Sequence, residues 1–265
     1  MRIRLMKVKG KRVVVTGAAS GIGKALCEAF NGAEAESVVC VDMNLDGAKD
    51  TADSIGGLAV QANVGVEEDI INVIKEANSL SGGVDIFCSN AGIGGVPGLL
   101  EVETSDWQNI WEVNVQSHIF AAKNVLPQML ERGEGHLMST SSAAGLLTQI
   151  GAAGYSVTKA AAVSFAEWLK ITYGNKGIGV SCLCPQAVRT AMTAQGAGVA
   201  GVDGMIEPEV AAADVLDAIE KERFLVTPHA EVLEYVSRKG NDRDRWISGM
   251  QRLQERYEDW KPGDD

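Results

Sequence analysis

Residues 12–30, RVVVTGAASGIGKALCEAF, hold three kinds of segment in a row. Arg12–Thr16 is a short β-branched run, which favours an extended strand. Gly17-Ala-Ala-Ser20-Gly21-Ile22-Gly23 follows at once, and a helical pattern then runs to about Phe30. Glycines let backbone pass close to a bound group. A helix N-terminus adds unpaired N–H groups and a partial positive charge, which suit a pyrophosphate. The spacing is G-x-x-x-G-x-G at Gly17, Gly21 and Gly23, a relative of the more familiar G-x-G-x-x-G.

The same alternation continues outward. Residues 38–42 (VVCVD) form a second strand ending in Asp42, about twenty residues past the glycine turn. That is where a dinucleotide fold places the acid that holds the adenosine ribose. A 2′-phosphate roughly 4 Å from this carboxylate would meet about 4 kcal/mol of repulsion at an effective dielectric near 20. No Arg or Lys stands among residues 18–20 or 43–45 to offset it, so the expected cofactor is NAD(H). A helix over 44–55, a strand at 58–61 reaching Asn63-Val64, a helix over 66–80 and a strand over 84–89 follow, the last ending in Asn90-Ala91-Gly92. Ser105 is the expected N-cap of a long helix to about Leu130, with Trp107 and Trp111 packing on one face and Asn114 within it. Strands at 136–141 and 178–184 flank a helix over 152–173. The expected fold is α/β: one domain over 1–265, a Rossmann-type doubly wound parallel sheet of about seven strands, helices on both faces, and an extra C-terminal helical tail.

Composition agrees with that class. Of 265 residues, 30 are glycine and 46% are hydrophobic, enough for a large core and many tight turns. A net charge of −11 excludes a general nucleic-acid binder. No apolar run is long enough to span a bilayer, so no membrane partner is expected. Cys27, Cys40, Cys88, Cys182 and Cys184 sit singly in apolar runs and read as buried thiols in a reducing, cytoplasmic setting. They complete no metal set. MRIRLMKVKG at the N-terminus lacks the apolar core of a secretory signal and reads as a frayed lead-in.

Residues 139–170 carry the chemistry. A serine run, a Gly/Ala-rich loop, Tyr155 and Lys159 occur in order. Residues four apart share a helix face, so a phenol and an ammonium lie side by side. A cation so placed should lower the phenol's pKa from about 10 and make it an acid/base near neutrality.

With these motifs assembled, residues 6–226 resemble the short-chain dehydrogenase/reductase family. Thr16–Gly23 looks like its glycine motif, Asn90-Ala91-Gly92 matches its NAG motif, and Asn114, Ser142, Tyr155 and Lys159 match its catalytic four. Ser142, rather than Ser139 or Ser141, fits the family's S-x-A-G, thirteen residues ahead of the tyrosine. The resemblance implies that Tyr155 moves a proton at the substrate oxygen, Lys159 assists it and holds the nicotinamide ribose, and Ser142 binds that oxygen. It also implies that Asn114 holds a water linking Lys159 to solvent. The cofactor set it implies is Gly17, Ser20, Gly21, Ile22, Gly23, Asp42, Met43, Asn63, Val64, Asn90, Ala91, Gly92, Tyr155, Lys159, Pro185, Val188, Thr190 and Met192. Two positions depart from the family pattern: Asn63 replaces an Asp, and Gln186 replaces the Gly after Pro185, which puts a longer side chain at the pocket mouth.

The implied activity is interconversion of a secondary alcohol and a ketone. Residues 191–206 read as a substrate loop, small and nearly uncharged, which points to a neutral small-molecule substrate. Residues 228–265 read as a helical extension. Asn241 is the expected cap there, and Trp246, Met250, Leu253, Tyr257 and Trp260 form a stripe of coiled-coil period that must bury against its own domain or a neighbouring subunit. The family is commonly a homo-oligomer, dimer or tetramer, through the two long helices. Alternatives are a non-catalytic NAD-binding regulator and a lyase like the halohydrin dehalogenases, whose glycine turn and lysine are altered; both are intact here.

Overall fold

A computed structural model describes residues 6–257. Strands β1 (Arg12–Thr16), β2 (Ser37–Asp42) and β3 (Leu58–Gln61) are joined by helices α1 (Gly21–Gly32) and α2 (Leu45–Ile55). Helix α3 (Glu67–Ser81) leads to β4 (Ile86–Ser89). Helices α4 (Thr104–Trp111) and α5 (Ser117–Arg132) precede β5 (Gly135–Thr140). The short α6 (Ala143–Leu147) and long α7 (Ala153–Tyr173) lead to β6 (Ile178–Leu183). Helix α8 (Pro208–Glu220), strand β7 (Leu225–Val226) and helices α9 (Glu231–Asn241) and α10 (Arg243–Arg256) complete the described chain.

The seven strands form one sheet in the order β3-β2-β1-β4-β5-β6-β7, and every pairing is parallel. Parallel neighbours need helical crossovers, which cover both faces. Alternation along each strand supplies both cores. On β1, Val14 faces the layer holding Val73, Val125, Met129 and Leu169. Val13 and Val15 face the layer holding Leu26, Phe30, Val215 and Ile219. The chain winds outward in one direction from β1 and in the other from β4, so a crevice opens at their carboxyl ends. At the opposite edge the Arg12 guanidinium grips both Asp85 carboxylate oxygens, at 2.7 and 2.6 Å.

Four expectations change. Met6 and Val8 are buried in the second core layer, so this part of the lead-in is structural rather than frayed. The long helix is capped at Glu103 instead of Ser105, and a π-helical turn, Glu112–Gln116, interrupts it. Trp107 approaches the Gly154 backbone, but Trp111 is 38% exposed. Helix α10 is capped by Asp242, whose carboxylate accepts from the Arg245 N–H at 2.9 Å, while Asn241 ends α9. Trp260 lies outside the described residues. All five cysteines are buried and unpaired. Among the described residues no helix is long and apolar enough to cross a membrane.

Candidate active site

The glycine turn sits at the switch point between β1 and β4. Gly17 adopts φ +71, a left-handed conformation natural to glycine. A Cβ on Gly23 would stand 1.9 Å from the Gly17 carbonyl oxygen, so α1 can approach β1 only with glycine there. Gly21 (φ +53) faces Thr190, whose Cγ2 would be 2.9 Å from an added Cβ. Ser20 precedes α1 but makes no side-chain cap, and no acid occupies the first turn. The N–H groups at the start of α1 are therefore left for an anion. The Asp42 carboxylate accepts from the backbone N–H of Ala19 at 3.0 Å and of Asn44 at 2.9 Å, which fixes it beside that turn. Asn90 braces the floor: its amide donates to the Thr16 carbonyl and its oxygen accepts from the Thr140 hydroxyl, both at 2.9 Å. The Ala91 N–H donates to the Thr16 hydroxyl at 3.1 Å. Thus β1, β4 and β5 are tied at their carboxyl ends. Asn63 accepts from the Gly65 N–H, and its own N–H donates to Asp69. Val64 is buried, while Met43 and Met192 are exposed at the rim. This donor set, with its uncapped helix end and glycine cradle, fits a dinucleotide.

Tyr155 and Lys159 lie on α7 with the Lys159 Nζ 5.6 Å from the phenol ring centroid. The ammonium is buried and donates to the Thr140 carbonyl at 3.1 Å. Burial pulls it down to about 8, opposed by Cys182 and Cys184. Burial also pushes the Tyr155 phenol above its ordinary value, against a downward pull from the Ser142 hydroxyl. The expected depression of the phenol by the ammonium is not what the site shows: desolvation of the phenolate raises it instead.

Of the three serines, Ser141 donates to the Lys159 carbonyl at 2.7 Å, Ser139 is buried within β5, and Ser142 lines the open cavity. Ser142 is also the N-cap of α6, accepting from the Ala144 N–H at 3.1 Å and donating to the Pro185 carbonyl at 3.4 Å. Gly145 lets α6 lie on α7, since a Cβ there would be 2.5 Å from the Lys159 carbonyl oxygen. Asn114 falls within the π turn, a rare geometry that recurs at functional sites. Its amide is engaged by the Ile93 backbone, as acceptor and donor at 2.9 Å, and by the Thr158 hydroxyl at 3.2 Å. Gly92 separates it from Lys159: an added Cβ would lie 3.1 Å from Lys159 Nζ and 3.2 Å from Asn114 Oδ1.

A cavity of about 770 Å³ opens beside Ser142, within the usual range for a small-molecule site. Leu147, Val199, Trp246, Met250 and Leu253 supply its apolar wall. Of the predicted stripe, Trp246, Met250 and Leu253 line this cavity, and Trp246 packs with Tyr235, Val232 and Leu147. Gln186 also lines the cavity and donates to Asp203 at 2.9 Å, and the Tyr235 hydroxyl donates to the other Asp203 oxygen at 3.0 Å. This chain links the end of β6, the loop and α9. Gln186 keeps a negative φ, so it replaces glycine without backbone strain. Residues 191–205 carry no basic side chain, as expected, but the cavity does: Arg238, Arg245, Arg252 and Arg256 line it from α9 and α10. The expectation of a neutral substrate considered the loop alone. The arginines at 245, 252 and 256 are spaced by seven and four along the tail helix.

The family model for short chain dehydrogenase matches residues 11–197. The chain is 34% identical to 1-deoxy-11-beta-hydroxypentalenate dehydrogenase of Streptomyces exfoliatus, over 85% of this chain and 86% of that protein. It is 30% identical to meso-2,3-butanediol dehydrogenase of Serratia marcescens, over 71% and 75%. A crystal structure of a short chain dehydrogenase/reductase from Burkholderia phymatum in complex with NAD superposes with a TM-score of 0.83 at 25% identity, covering 91% of this chain and 96% of that one. With its glycine cradle, its Ser142, Tyr155 and Lys159 and its seven parallel strands, this chain belongs to the short-chain dehydrogenase/reductase family of oxidoreductases.

Proposed function

We propose that the protein is an NAD(H)-dependent enzyme that interconverts a secondary alcohol and a ketone, with Tyr155 as acid/base. The observation that carries this reading is the meeting of three elements at one sheet edge: the Lys159 Nζ 5.6 Å from the Tyr155 ring centre, Thr140 of β5 bonded to both Lys159 and Asn90, and the glycine cradle against Asn90. The relatives named above are dehydrogenases of hydroxyl-bearing compounds, and one solved neighbour holds NAD. Asp42, unopposed by a nearby base, favours a ribose with a free 2′-hydroxyl.

NAD(H) supplies the hydride when bound, held by the first turn of α1, Asp42, the floor at Asn90-Ala91-Gly92, and Thr190 facing Gly21. The protein handles the proton. Tyr155, kept protonated by burial, donates its phenolic proton to a carbonyl oxygen as that oxygen becomes an alcohol. Lys159, pulled down by burial to about 8, still favours its charged form at neutral pH and stabilises the phenolate that results. Ser142 turns its hydroxyl from the long 3.4 Å bond with Pro185 to the same oxygen, where it offsets developing charge. Asn114 holds the Ile93 backbone and Thr158 in register around Lys159. The loop over 191–206 closes on substrate, guided by the Gln186–Asp203–Tyr235 chain. Exposed Trp168 and Ile171 on α7 and Ile119 on α5 suit the homo-oligomeric contact expected of the long helices, and five buried thiols suit a reducing cytoplasm.

Tyr155→Phe tests the assignment. Turnover should fall at least about a thousandfold while NADH binding, read by fluorescence, stays within a few-fold. Retained turnover would remove Tyr155 from the reaction.

A further inference from the structure

The cavity beside Ser142 has a charge of its own, opposite to that of the chain. The protein as a whole is at −11, yet the charged side chains lining this space are Arg238, Arg245, Arg252 and Arg256 against Asp242 alone. Asp242 is engaged in capping α10. Arg238 pairs with Glu234 and lies over the Tyr235 ring. Among the described residues, Arg245, Arg252 and Arg256 have no carboxylate partner. Their spacing of seven and four places the three on one face of α10.

Gly249 lies on that same face, between Arg245 and Arg252, and also lines the cavity. A helix-interior glycine is unfavourable by roughly 1 kcal/mol against alanine. Nothing in the packing requires it here: an added Cβ would meet only the end of Arg252, at 3.8 Å. Its missing side chain leaves the helix surface between the arginines open to whatever fills the space.

We infer that the substrate carries an oxyanion, such as a carboxylate, at the end remote from its carbinol carbon, and that Arg245 and Arg252 of α10 bind it. The inference rests on the reading of Ser142 as the group that meets the reacting oxygen. The same cavity is lined by Ser142, by the apolar Leu147, Val199, Trp246 and Met250, and by the arginines, a combination that suits an apolar body bearing a hydroxyl or keto group and an anion. Guanidinium forks match an oxyanion in geometry as well as charge. All three arginines are exposed, so each contributes a screened rather than a buried attraction.

The test uses the full chain, whose residues 258–265 include Glu258, Asp259, Asp264 and Asp265, so any competition from them is present throughout. Octanoate and 1-octanol are titrated calorimetrically into the wild type and into the Arg245→Gln/Arg252→Gln variant. Octanoate should bind the wild type at least about tenfold more tightly than octanol, with the preference shrinking as salt is added. The variant should bind the two alike, with octanol affinity unchanged. Equal affinities in the wild type, absence of octanoate binding, or a preference that survives in the variant would overturn the inference. A parallel assay compares oxidation of hydroxy fatty acids with that of their methyl esters. Octanoate preference without NADH formation from any alcohol would sink the redox reading and leave the anion site standing. Turnover of neutral alcohols without octanoate preference would do the reverse.

Discussion

The cofactor cradle and the substrate cavity meet at Ser142 but are made differently. The cradle comes from strand ends between Thr16 and Asn90 and is largely backbone: Gly17 at positive φ, Gly23 against the Gly17 carbonyl, Asp42 and Asn90 bonded to main-chain groups. The cavity is assembled from α6, the loop and the α9–α10 pair, three regions well separated in sequence, and its walls are largely side chains. A backbone cradle tolerates few residues at each position, whereas a side-chain wall tolerates many. One region therefore holds a shared cofactor and the other is free to suit a particular substrate.

The largest effect expected lies beneath both regions. His118 and His136 are fully buried, and burial pulls each down to about 3, opposed to protonation also by Lys159 and Lys170 respectively. The unfolded chain takes up these protons near 6.5 and the folded chain does not. Their contribution is complete above about 6.5 and is lost as pH falls towards 3, at up to about 1.4 kcal/mol per pH unit for each histidine. Denaturant midpoints measured across that window should fall steeply, and His118→Leu should flatten the slope. Because the floor is shared, NADH binding and octanoate binding should fail together in acid.

Gly23→Ala should separate the regions. Its Cβ would be 1.9 Å from a carbonyl oxygen, with no soft side chain to yield, so the turn must open. A loss of about 1–3 kcal/mol in stability and at least about tenfold in NADH affinity is expected, with octanoate binding intact. Asp42→Ala should act more narrowly, cutting the preference for NAD over NADP by roughly tenfold or more in steady-state comparison. The smallest effect is its counterpart in the cavity: Gly249→Ala should raise the unfolding free energy by about 0.5–1 kcal/mol while narrowing the space beside Arg252. If Gly249→Ala proved as disruptive as Gly23→Ala, the contrast between a constrained cradle and a permissive wall would fail.

The same contrast explains what could be read from the residues in advance. The strand–helix alternation, the glycine turn, Asp42 and the Tyr155–Lys159 pair were legible because each follows from local period, spacing or charge. The π turn at Glu112–Gln116 was not, since an inserted residue in a helix leaves no mark in apolar periodicity. Nor was the sign of the Tyr155 shift, which depends on desolvation of the phenol in the folded chain. The stripe on α10 was visible, but its period is common to a coiled coil and a cavity roof. The packing of Trp246 on Tyr235 and Leu147 depends on α9 and α6, which the period of α10 does not encode. The arginines went unread because charge on a tail helix ordinarily means a solvated face.

The central claim is that hydride passes between the nicotinamide and a carbinol carbon while Tyr155 carries the proton. The most direct measurement supplies NADH carrying deuterium at both C4 positions of the nicotinamide with a panel of keto acids, and reads the alcohol product by mass spectrometry. One deuterium at the new carbinol carbon, absent with Tyr155→Phe although NADH still binds, is the predicted result. Alcohol formed without the label, or label transferred equally by the Phe variant, would contradict it.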